Sequence, residues 1–212
     1  ARPRGASFWH RTNPAKDRCN GLIGQAWTIE ALAVGAEALQ TPELASLGEE
    51  VFLLHPFDED EGLWSRVEID GEVLGVDVTF NHQLWFAASG ALLSGPPHEG
   101  IAKRVRWFLD ALSDNLSLYP SGVIQHSIAG NDILRPRRGA KTAVKVLVRH
   151  LFTRDAPESA GYAKAIGYHA FNLYAFALLR QALPDHPFWT SDTMRSALGY
   201  VESDEFVSAL DD

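Results

Sequence analysis

The sequence is short of the residues that most readily announce a function. It has one cysteine, Cys19, so an intrachain disulfide and a zinc centre built on several thiolates are both excluded. No apolar run reaches the ~18 residues of a membrane helix. Val144–Phe152 comes nearest, and Lys145 and Arg149 interrupt it. The chain opens on Ala1-Arg-Pro-Arg4, with no methionine and no signal-peptide core, and stops at Leu210-Asp-Asp212, so both ends read as cuts within a larger protein; of the possible locations, the cytoplasm is favoured. Lysine is scarce beside arginine, and the net charge of −8 argues against a nucleic-acid backbone as partner. Several signposts of chemistry are absent: a Gly-x-Ser-x-Gly elbow, His-Glu-x-x-His, a phosphate-binding P-loop and Gly-x-Gly-x-x-Gly. No cofactor and no metal site is expected.

What is present is apolar and helical. At 212 residues and 46% apolar content, one core is the simpler expectation. Residues 1–18 read as a basic loop in which Phe8, Trp9 and His10 are too sticky to be free. Helical periodicity follows over about 20–40, with Leu22, Ile23, Ala26, Trp27, Ile29 and Ala33 on a wide apolar face. Thr41-Pro42 opens a second helix that ends near Leu54, before Pro56. Alternating segments at 63–69 and 72–78 flank Asp70-Gly71, a strong hairpin signal. Further helices are expected at 79–93, 99–114, 140–152, 159–182, 190–200 and 203–210. Residues 115–138 form an irregular stretch too long for a plain connection, and Gly161 and Gly167 suggest close packing or a local break in their helix.

The helix at 79–93 sets the functional question. Asp77 and Thr79 supply capping oxygens, and its first turn crowds Asn81, His82, Gln83 and Trp85 onto an otherwise apolar helix. The same pattern, an amide two residues before an aromatic, occurs at Gln25/Trp27, Gln83/Trp85 and Asn172/Tyr174. Such an echo suggests helical-hairpin repeats. Helix pairs can curve into an α/α toroid whose inner helices point polar turns into one cleft. Gln25, Trp27, Asn81, His82, Gln83, Trp85, Tyr168, His169, Asn172 and Tyr174 would then converge. Amides bond sugar hydroxyls and aromatic faces stack on pyranose rings.

These residues carry a family resemblance. Thr79-Phe-Asn-His-Gln-Leu-Trp85 and the small residues after it resemble the Asn-His helix of heparinase- and alginate-lyase-type toroids. Tyr168-His-Ala-Phe-Asn-Leu-Tyr174 resembles the Tyr-His helix of the same enzymes. The chain also resembles proteins of archaeal and bacterial glycosylation clusters, glucuronyl epimerases and unsaturated-glucuronyl hydrolases. The resemblance is clear over 20–40, 63–93 and 160–180. It implies an all-α, α/α-toroid-like array of helical hairpins with one small β-hairpin, in a single domain over 1–212 that belongs to a longer chain. A ring this short would be completed by the rest of that chain or by an oligomer partner.

The activity implied is removal of the C5 proton of a uronic acid within a glycan, leading to epimerisation or, with loss of the C4 substituent, to β-elimination. Carried over by motif, Asn81 binds the carboxylate, His82 assists it or acts as base, and Tyr168 and His169 are the acid/base pair. Gln25, Trp27, Gln83, Trp85, Asn172 and Tyr174 bind substrate. Arg66 on the hairpin is a candidate carboxylate clamp, with Arg135, Arg137 and Arg138 as rivals, and His126 is a further proton carrier. Two other readings stand beside this one: a glycoside hydrolase using Glu30 and Asp77, and a non-catalytic glycan-binding or scaffold fragment whose polar turns only cap helices. The lyase or epimerase reading requires Asn81-His82 and Tyr168-His169 to face one cleft.

Overall fold

The computed structural model describes residues 2–93, 99–128 and 160–209. The helix expected at 140–152 and the three arginines at 135, 137 and 138 lie outside the described residues. Within them the fold is mostly helical, with one small sheet. Helix α1 (Gly21–Leu39) and α2 (Pro42–Leu54) form the first pair, followed by strands β1 (Phe57–Asp58), β2 (Leu63–Val67) and β3 (Val73–Val76). Then come α3 (Phe80–Leu92), α4 (Glu99–Asp110), the short α5 (Leu112–Asn115), α6 (Ala160–Ala182), a 3-10 turn at Pro187–Thr190, α7 (Asp192–Tyr200) and α8 (Asp204–Ala209).

The hairpin forms where Asp70-Gly71 predicts it, with Gly71 at φ 93° and Glu68 and Glu72 joined through their main chain at 2.8 Å. It gains a third strand, because Phe57–Asp58 pairs antiparallel with Leu63–Trp64 across the acidic turn. A bulge between Arg66 and Val67 shortens the β2–β3 ladder. The helix expected over 99–114 breaks at Ala111. Helix α6, in contrast, runs unbroken through Gly161 and Gly167.

Helix α3 is the hub, packing on α1, α2, α4 and α6. That explains its composition: a helix with neighbours on most of its sides leaves little face for water, so Phe80, Leu84, Trp85, Phe86, Ala87 and Ala88 are all buried. Around it Phe52 stacks on Phe86 with ring centroids 4.7 Å apart, and Trp64 meets Phe52 and Phe86 edge-on at 5.6 and 5.5 Å. Pairs of this kind add ~0.5–1.5 kcal/mol each beyond their buried area. Of the sticky N-terminal residues, Phe8 packs on this core and His10 Nε2 lies 3.1 Å from Thr28 Oγ1, while Trp9 stays 60% exposed.

His55 sits fully buried between Ser7 Oγ, 3.3 Å from Nε2, and the Ser65 carbonyl, 2.9 Å from Nδ1. Burial pushes its imidazole down to about 4, against the opposing pull of the Ser65 carbonyl and the Asp77 charge. The unfolded chain takes up this proton below about pH 6.5 and the folded chain does not. The stability His55 contributes is therefore complete above about pH 6.5 and is lost as pH falls towards about 4. The urea midpoint is expected to decline across that window, and less steeply in His55→Gln. A flat wild-type profile there would contradict this account.

Candidate functional site

The site begins where α1 begins. Asn20 and Gly21 both take left-handed backbone angles, φ 58° and 59°, and so aim successive amides outward from the helix start. The Gly21 amide donates to Asp17 Oδ1 at 2.9 Å, and the Leu22 amide donates to Asp77 Oδ2 at 3.0 Å. Two carboxylates thus sit at the positive end of α1, where its dipole and orphan amides favour negative charge. Asp77 is therefore not the cap of α3 that its position suggests. It caps α1 from across the fold, and the Thr79 side chain makes no capping bond at all.

Asp77 has a second role. Its Oδ2 lies 2.9 Å from His82 Nδ1, and its Oδ1 accepts the Thr79 amide at 3.1 Å. Burial alone would raise this carboxyl. The His82 hydrogen bond and charge, with the Leu22 and Thr79 amides, outweigh burial and hold it below the usual carboxylate range. An ionised carboxylate only accepts, so Nδ1 carries a proton, and in the neutral form of the imidazole Nε2 is the nitrogen with the lone pair. The Asp77 side chain is 5% exposed and that of His82 23%, so the pair is anchored inside with the imidazole reaching out.

His82 reaches into a cleft of about 370 Å³ formed by the starts of α1 and α3 and the middle of α6. Helix α1 contributes Ile23 and Trp27, with Asn20 just before it. Helix α3 contributes Asn81 and His82, and α6 contributes Gly167, Tyr168 and Phe171. Asn81 is 2% exposed, and its Oδ1 is buried without a partner. Such an atom ordinarily costs ~1–3 kcal/mol, and it belongs to a residue that lines the cleft. Trp27 lies half-exposed at 47%, as a stacking platform requires. The His126 ring stacks on Tyr168 at 5.2 Å between centroids, and its main-chain carbonyl accepts the Phe80 amide that starts α3.

The motif pair is only half assembled. Tyr168 shares the cleft with Asn81 and His82, although it lies mid-helix rather than at a helix start. His169 does not share it. One residue on, it turns into a separate cluster against Tyr200 and Phe206, fully buried. Its Nδ1 accepts the Ile124 amide at 3.3 Å and its Nε2 meets the Ala197 carbonyl at 2.9 Å. Burial pushes it down, the Ala197 bond opposing, and both ring nitrogens face main-chain groups rather than Tyr168.

The two glutamines also belong to the framework. Gln25 accepts the Phe8 amide at 2.8 Å and donates to the Phe8 and Cys19 carbonyls at 3.0 and 2.8 Å. Gln83 accepts the Trp64 amide at 2.9 Å and donates to the Trp64 and Asp77 carbonyls at 2.8 and 2.9 Å. Each amide pairs with a passing backbone as another strand would, and both side chains are fully buried. The likeness between these two positions is thus architectural. Trp85 backs the cleft by stacking on Phe171 at 4.1 Å, and Tyr174 lies beside it at 5.6 Å, outside the lining. Asn172 is 1% exposed and outside the lining, its Oδ1 without a partner.

Arg66 is occupied as well. It donates to Asp17 Oδ2 at 3.0 Å and to the Leu74 carbonyl at 3.3 Å, while Asp17 also holds Arg11 at 2.7 Å. A substrate carboxylate would have to displace Asp17 from it. For the hydrolase pair, Asp77 is committed to His82 and two amides, and Glu30 lies outside the cleft lining. Among the described residues no cluster of three metal-ligating side chains forms, and no helix is long and apolar enough to cross a membrane.

Sequence reasoning missed three parts of this site. The Asp77–His82 pairing was legible as a carboxylate five residues before a histidine across a strand-to-helix turn. Gly167 and Phe171 follow from Tyr168 by helical spacing. Asn20 carries no sequence signal beyond its place before Gly21.

No family model matches the chain, and no solved structure matches it. The whole chain aligns, at 44% identity over 218 residues, with a protein of Haloferax volcanii named archaeal glycosylation protein Q, of which it spans 59% of the length.

Proposed function

We propose that this chain is a glycan-active enzyme domain of archaeal-type glycosylation that removes the C5 proton of a uronic acid, giving epimerisation or β-elimination. The observation that carries the reading is the Asp77–His82 pair opening on a cleft shared with Asn81 and Tyr168. The name of the Haloferax volcanii relative supports the glycan context.

Each residue has a role the geometry suits. His82 Nε2, with Asp77 fixing the other ring nitrogen, takes the C5 proton, and Asp77 stabilises the imidazolium that results. The electrons of the broken C–H bond move onto the sugar carboxylate, where the buried Asn81 amide is at hand. Tyr168 then either returns a proton to the opposite face of C5 or protonates the departing C4 oxygen. Trp27 stacks against a sugar ring. His169, which the motif resemblance would make a proton carrier, has no part in this scheme.

The arrangement of helices supports a toroid-like array. Helices α1, α3 and α6 pack side by side, α2 backs α1, and α4 backs α3, as inner and outer helices of such an array would. The test is product analysis after incubation with uronic-acid oligosaccharides. An inverted C5 centre by NMR indicates epimerisation, and an ultraviolet-absorbing unsaturated product indicates elimination. Neither product from the folded protein overturns the proposal.

A further inference from the structure

We propose that Lys164 is the cation that recognises the carboxylate of the substrate, with His126 holding it in place; this rests on the reading of the cleft as a uronic-acid site. Among the described residues, the arginines nearest the start of α1 are already paired. Arg11 and Arg66 both spend their guanidinium groups on Asp17, at 2.7 and 3.0 Å. Lys164 lies one helical turn before Tyr168, exposed, and makes no ion pair among the described residues. Its Nζ is 3.0 Å from His126 Nε2 and 5.8 Å from the centre of the Tyr168 ring.

The three side chains form a column: ammonium, imidazole, phenol. An ammonium only donates, so His126 Nε2 accepts from it and the imidazole is neutral. Burial, then the Lys164 charge, push His126 down to about 4, against the pull of Asp77, so it keeps accepting at neutral pH. One of the three ammonium donors is thereby fixed, and the other two remain for a ligand that extends past Tyr168 beyond the residues lining the cleft, which include neither Lys164 nor His126. The protein carries a net charge of −8, which repels an anionic sugar. A local cation without a carboxylate partner is what offsets that repulsion and separates a uronic acid from its neutral counterpart.

Binding of a glucuronic-acid-terminated disaccharide and of the matching glucose-terminated disaccharide tests this by calorimetry, for the wild type, Lys164→Met and Lys164→Arg. The wild type is expected to favour the acidic sugar by about 10-fold or more, the scale of a charge-assisted hydrogen bond. Lys164→Met should lose that preference with little change for the neutral sugar, and Lys164→Arg should keep most of it. The side chain is exposed, so folding is not at issue. A preference that survives in Lys164→Met overturns the assignment of Lys164 and leaves the uronic-acid reading standing. A wild type without any preference overturns both.

Discussion

Replacing Asp77 with asparagine is expected to lower kcat/KM by about 10²–10⁴-fold, the range over which a positioned general base contributes. The substitution keeps shape and removes charge. An amide introduced there can present N–H to His82 Nδ1, which drives the imidazole proton onto Nε2 and abolishes the lone pair that faces the cleft. Without the carboxylate, no counter-charge awaits the imidazolium. The cost to the fold is expected to be smaller, ~1–3 kcal/mol, because one charge-assisted cap of α1 is weakened at Leu22. Activity and stability should therefore part company: a folded protein by circular dichroism, nearly inactive, with the His82 proton moved between ring nitrogens by nitrogen-15 NMR. The stability term has its own pH signature. Asp77 is held below its usual range, so its contribution is complete above about pH 4 and is lost as pH falls further. Near-wild-type activity in Asp77→Asn would mean that His82 needs no partner.

Gly21→Ala is expected to be the most damaging single methyl group near the site. Gly21 takes φ +59°, which costs an ordinary residue ~1–2 kcal/mol. The added carbon would lie 2.6 Å from Asp77 Oδ2 and 2.8 Å from His82 Nδ1, inside any tolerable contact. Neither neighbour can withdraw cheaply, since Asp77 is buried and held by the Leu22 amide, the Thr79 amide and His82. A loss of ~2–4 kcal/mol is expected, with activity falling alongside it. Gly100→Ala in α4 is the control, because nothing lies within 4 Å of the added carbon there. That variant should be neutral or slightly stabilised. Urea titration of both variants checks the contrast, and equal stability would contradict it.

The framework was legible in the sequence because it follows local rules. The amphipathic and all-apolar helices, the Asp70-Gly71 turn and the Pro42 start are set by residues close together in the chain. The third strand was not legible, since Phe57–Asp58 is too short to carry periodicity and forms only by pairing with β2. At the candidate site, motif spacing picked out Asn81, His82 and Tyr168, which line one cleft. It failed for His169 because neighbouring helical residues point about 100° apart, so one motif can place a phenol in the cleft and an imidazole in the core behind it. It failed for Gln25 and Gln83 because a buried amide serves a backbone as well as it serves a sugar. It failed for Arg66 because its partner, Asp17, lies in the N-terminal loop, far along the chain. Contacts made at long range decide between binding and bracing, and the pattern of residue types is the same for both.

The most direct measurement is deuterium incorporation at C5 of a uronic-acid oligosaccharide in heavy water, comparing the wild type with His82→Gln and His169→Gln. The proposed site predicts C5 exchange in the wild type and a loss of about 100-fold or more in His82→Gln. Folded His169→Gln should retain exchange. Absence of C5 exchange in the folded wild type, or exchange undiminished in His82→Gln, would contradict it.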